Sequence, residues 1–108
     1  MVNHTIDLVR GDDYSLIVRW LDSADVEVPI ASARLQVREH IDDAATLLSL
    51  AGGSGLTIAG GQITIAITET QSATLRTGRW DLEAISSGGQ TKTLVGGPFN
   101  VTEDVSRT

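Results

Sequence analysis

The feature that most restricts what this chain can fold into is an alternation of apolar and polar residues with a period of two, broken at short intervals by glycine and aspartate. It is clearest at Ile63, Ile65 and Ile67, which alternate with Gln62, Thr64, Ala66 and Thr68. Successive side chains of an extended chain point to opposite faces, so this pattern makes a strand with one apolar and one polar face. The same period sets Ala33, Leu35 and Val37 against Arg34, Gln36 and Arg38, and Trp80, Leu82 and Ala84 against Arg79, Asp81 and Glu83. Leu16, Val18 and Trp20 alternate with Ser15, Ile17 and Arg19, which gives a more apolar strand. Strands with one wet face belong in antiparallel sheets, whereas buried parallel strands would be apolar on both faces.

Shorter strands fill the intervals: Thr5 to Val9, Thr46 to Leu50 after an acidic turn at Asp42 and Asp43, Leu56 to Ala59, and one from about Thr91 to Val101. Gly60 and Gly61 between two apolar alternations signal a two-residue hairpin, because such turns need positive φ. Ser86, Ser87, Gly88 and Gly89 supply a second hairpin turn. Pro98 cannot donate to a ladder, so a bulge, kink or edge is expected at Gly96, Gly97 and Pro98. Thr68 followed by Gln71 has the spacing of a capping box, with Gly78 expected to end the turn that follows. The predicted fold is all-β: an immunoglobulin-like, two-sheet antiparallel β-sandwich of seven to eight short strands with one short helical turn near residues 69–75. A small barrel is the second choice.

A chain of 108 residues makes a single domain, residues 1–108, with one core. The aromatics are only Tyr14, Trp20, Trp80 and Phe99, so the core is aliphatic and each tryptophan is expected to anchor it. Fourteen acids against eight bases give a net charge of −6. The only lysine is Lys92, and the arginines (Arg10, Arg19, Arg34, Arg38, Arg76, Arg79 and Arg107) form no basic run, which argues against nucleic acid and anionic membrane as partners. With no cysteine there is no disulfide, thiolate nucleophile or thiolate metal site. The N-terminus has no apolar signal segment, and no run nears the roughly 20 apolar residues of a membrane span. A soluble protein made in a cytoplasm is expected.

No catalytic constellation emerges. A hydrolase triad needs a base, and only His4, in a terminus expected to fray, and His40, at a strand end, could supply one. Acids cluster at Asp12 and Asp13, at Asp22, Asp25 and Glu27, and at Asp42 and Asp43, but without the spacing of a calcium loop. Their ordinary role is as turn residues with solvated charges. Gly52, Gly53, Ser54 and Gly55 lack the lysine and helix of a phosphate-binding loop and read as a flexible turn. Asp81 and Glu83 share a strand face beside Arg79, which points to cross-strand ion pairs. The expectation is therefore no enzyme, no catalytic residue, no metal ligand and no cofactor.

Several segments together resemble a known family. Ile6 to Tyr14, containing Arg10, Gly11 and Asp12, leads to Val18, Arg19, Trp20, Leu21 and Asp22 and then to a proline loop at Val28, Pro29 and Ile30. Ala33, Leu35, Val37 and Arg38 follow the pattern alanine, x, hydrophobic, x, hydrophobic, arginine, and Gly61 to Ile65, Thr68 to Leu75 and Gly78 to Glu83 continue the likeness. The chain resembles the N-terminal domain of siphophage baseplate upper proteins and their short prophage relatives. That resemblance implies a non-enzymatic virion component made in the host bacterial cytoplasm, a tail-tip, baseplate or fibre-attachment module whose partners are other virion proteins, with homo-oligomers as a further option. Members usually carry receptor-directed or oligomerising regions as well, so this chain would be the attachment module alone. The alternatives are a capsid decoration protein on the phage head and a ligand- or carbohydrate-binding β-sandwich.

Overall fold

A computed structural model describes residues 2–40 and 46–102. The expected acidic turn at Asp42 and Asp43, and the tail after Thr102, lie outside the described residues. The strands are β1 (Val2–Asn3), β2 (Ile6–Val9), β3 (Tyr14–Arg19), β4 (Ile30–Arg38), β5 (Leu48–Gly52), β6 (Gly55–Ala59), β7 (Gln62–Ile67), β8 (Gly78–Ser86) and β9 (Thr91–Thr102), with one helical turn, α1 (Glu69–Ser72), between β7 and β8. The protein is nearly all β, as the period-two pattern requires.

These strands form one mixed sheet in the order β1-β9-β8-β4-β5-β6-β7-β3, with β2 also beside β9, and the sheet curls into a nearly closed barrel. The expected break into two separate sheets is bridged at β5 and β6. There the chain turns a corner within two residues, Gly53 and Ser54, and keeps two parallel pairs, Ala51 with Gly55 and Gly52 with Leu56. Gly53 and Gly55 both hold positive φ, which lets so short a corner retain backbone hydrogen bonds. Closure comes from the opposite side. Only Arg10 to Asp13 separate β2 from β3, so the two ends of the sheet are tied close together.

Inward residues of every long strand build one core. Leu35, Val37, Ile63, Ile65, Leu82, Ala84 and Phe99 are fully buried, and Trp20 and Trp80 are nearly so, as expected of the two anchors. The Gly60–Gly61 hairpin joins β6 to β7 with Ala59 opposite Gln62, although only Gly60 takes positive φ. Gly61 is needed for space instead, since a Cβ there would press within 2.9 Å of Glu27 and 2.8 Å of the Val28 carbonyl. The turn from Ser86 to Gln90 joins β8 to β9 as predicted, with Gly89 at positive φ. Thr68 caps α1 through a complete capping box with Gln71. Gly78 does not end that turn. It opens β8, where its missing Cβ makes room for the Arg38 carbonyl.

Strand β9 runs unbroken through Gly96, Gly97 and Pro98, and its irregularity falls at Leu94, where the register with β8 shifts. Pro98 is tolerated inside the sheet because its missing N–H faces the gap between β1 and β2. The ladder with β9 is interrupted there, between the pairs Asn3 with Gly96 and Ile6 with Phe99.

Candidate functional site

A concavity of about 110 Å³ lies against β4, β8 and β9 and is lined by Gln36, Arg38, Arg79, Trp80, Asp81, Gly96 and Gly97. Register explains its composition. Arg38 stands directly opposite Arg79, and Gln36 opposite Asp81, while on the far side of β8 the partners of Trp80 and Asp81 are Gly97 and Gly96. Polar cross-strand pairs therefore make the rim and two glycines leave the floor open. Arg38 donates to Gln36 Oε1 at 2.9 Å, which holds its guanidinium along its own strand. One strand step away, Arg34 and Glu83 form the cross-strand ion pair at 3.3 Å. Glu83 is thus paired as the strand-face reading expected, but with Arg34 and not with Arg79.

The guanidinium groups of Arg38 and Arg79 offer hydrogen-bond donors and the Asp81 carboxylate offers acceptors, so this hollow suits a polar group. Among the side chains of its lining, the Asp81 carboxylate is the one group able to act as a base or nucleophile.

Three of the acids singled out in the sequence, Asp13, Asp22 and Glu27, are occupied with backbone amides. Asp13 Oδ1 accepts from the Glu69 N–H at 2.7 Å, Asp22 Oδ1 from Ala24 and Val26, and Glu27 Oε1 from Gly61. This is the turn and cap chemistry expected of short acids. Among the described residues no group of three or more His, Cys, Asp and Glu is placed to hold a metal ion. His40 lies 3.7 Å from Glu39, whose carboxylate also meets Arg76 at 3.2 Å. His4 is not frayed: its amide donates to the Gly96 carbonyl, its own carbonyl accepts from Trp80 Nε1 at 3.0 Å, and its ring stands edge-on to the indole.

Sequence reasoning missed the junction that sets the β2–β3 turn. Ser72 in α1 is fully buried; its hydroxyl donates to the Asp12 carbonyl at 2.8 Å and accepts from the Gly11 N–H at 3.0 Å. Arg10 reaches the Leu75 carbonyl from the same turn. Arg10, Gly11 and Asp12 thus form a structural turn, with Gly11 at φ +93. Nearby, burial raises the Tyr14 phenol above its usual pKa, and the Asp7 carboxylate adds to the rise. No protein-family model matches the chain, and neither does any curated protein sequence.

Proposed function

We propose that this chain is a non-enzymatic structural protein of a bacteriophage virion, acting as a tail-tip, baseplate or fibre-attachment module. The observation that carries the reading is where the family-like segments fall. They lie on β2, β3, β4, β7 and β8 and on the turns between them, so the likeness is one of scaffold and not of a reactive site. The same reading includes an immunoglobulin-like, two-layered arrangement. Supporting it, β2 runs parallel to β9 in a layer continued by β8, β4 and β5, while β3, β7 and β6 form the other. Among the described strands the ladder between the layers is short, two residue pairs at the β5–β6 corner, with one further backbone bond from Ile30 to the Gly60 carbonyl. A scaffold of this kind meets its partners, other virion proteins, through strand edges and polar strand faces such as the Arg38 and Arg79 hollow.

Immunogold labelling of purified particles with antibody to the recombinant domain tests the proposal. Gold at the tail tip supports it. Gold spread over heads replaces it with a capsid decoration role, and unlabelled particles with the protein left in the soluble lysate refute it.

A further inference from the structure

Strand β3 ends the sheet path, and among the described strands it pairs only with β7. Its register fixes which of its backbone groups are used. The Trp20 N–H donates to the Gly61 carbonyl, directly continuing the pairs Arg19 with Gln62 and Val18 with Ile63. Hydrogen-bonded pairs recur at every second residue of an antiparallel ladder. Tyr14, Leu16 and Val18 therefore turn their amides and carbonyls to β7, and Ser15, Ile17 and Arg19 turn theirs outward along the sheet edge.

The side chains show the same incompleteness. Ile63, Ile65 and Ile67 on β7 are fully buried, but their partners Val18, Leu16 and Tyr14 are only half-buried. Ile17 is 56 % exposed, and Leu21 follows it on the same side. Natural edges are usually blunted by proline, charged side chains or a bulge; β3 has no proline or bulge, and its one charge is Arg19 at its end.

We infer that β3 is the surface through which two copies of this chain pair, antiparallel, about a two-fold axis at Ile17. Charge selects this occupant and this direction. Antiparallel pairing sets Ile17 against its own copy and Ser15 against Arg19, with Arg19 diagonal to Asp13 of the second copy. Parallel pairing in register would instead stack Arg19 on Arg19 and Asp13 on Asp13, which is destabilising for like charges directly opposite. Of the acids in the loop that follows, Asp22 is turned into its own hairpin by the Ala24 and Val26 amides, away from the pairing edge. A single added strand lies at the small end of specific interfaces, so the pair is weak, with a dissociation constant of about 100 μM. The inference is independent of the virion reading.

The test is sedimentation equilibrium of the full chain from about 10 μM to about 1 mM, with amide hydrogen exchange followed by NMR at both ends of that range. The mass is expected to rise from 11.4 kDa toward twice that value. The Ser15, Ile17 and Arg19 amides should slow about fivefold at the higher concentration, while Leu16 and Val18 are protected throughout. Ile17→Lys, at an exposed position, sets two cations face to face on the axis and should abolish both effects. A chain that stays monomeric, a dimer in which those three amides exchange unchanged, or an Ile17→Lys variant that still dimerises would each overturn the proposal.

Discussion

Replacing Ser72 with alanine removes one oxygen from a site with no solvent exposure and breaks two of the bonds that join α1 to the β2–β3 turn. The hydroxyl has one proton, which goes to the Asp12 carbonyl at 2.8 Å in preference to the Glu69 carbonyl at 3.2 Å, and it accepts one bond from the Gly11 amide. Two long-range hydrogen bonds are lost, each with a net value of about 1 kcal/mol, so the expected cost is about 2 kcal/mol. Gly11 and Asp12 themselves lie at the surface, so water re-satisfies part of the loss and keeps the figure below that of fully buried orphans. For a domain of this size the midpoint of thermal unfolding should fall by about 10 °C. Urea denaturation read by tryptophan fluorescence measures the change directly, and the slope with denaturant should stay constant while the midpoint falls. Thr74→Ala is the control: its hydroxyl makes only a local, exposed bond to the Gln71 carbonyl, and its removal should cost less than about 0.5 kcal/mol. A Ser72→Ala cost no larger than that of the control would refute the assignment of Ser72 as the junction that sets the β2–β3 turn.

Four further outcomes follow from the packing. Trp20→Ala and Trp80→Ala should each cost about 3–5 kcal/mol in urea unfolding, and the wild-type indoles should emit with a blue-shifted maximum, since both are almost fully buried. Trp80→Phe, which also loses the bond to the His4 carbonyl, should speed exchange of the His4 amide. The raised pKa of Tyr14 means that the folded state holds its proton more tightly than the unfolded chain. Its contribution is therefore complete below the ordinary tyrosine value of 10.0 and is lost as pH rises through the higher folded value; Tyr14→Phe should flatten that alkaline loss in unfolding curves compared across pH. The Arg34–Glu83 pair is exposed on both sides, and a double-mutant cycle should find a coupling of no more than about 0.5 kcal/mol, falling with added salt.

The candidate concavity was only half legible. Alternation placed Arg38, Arg79 and Asp81 on polar strand faces, but nothing local says that Arg38 stands opposite Arg79 or that Gly96 and Gly97 lie beside them. Cross-strand neighbours depend on register between segments some forty residues apart in the chain. Ser72 itself left no signal of the junction, because one serine hydroxyl looks the same whether solvated or buried. A weak hint lay in the glycine and two short acids that follow Arg10, which announce a turn without naming what it touches.

By itself the sequence determined what short-range physics controls: the strands, through side chains that alternate at every residue; the Gly60 and Ser86 hairpins, through glycine's access to positive φ; and the cap of α1, through the Thr68 and Gln71 side chains. Only the tertiary structure decided the strand order, the parallel seating of β2 on β9 and the place of Pro98 within the sheet. It alone decided, too, that the sheet stays continuous around the β5–β6 corner and leaves β3 as an open edge. Those outcomes depend on which backbone donors and acceptors meet across the whole chain, and every strand offers the same donors and acceptors whatever its side chains.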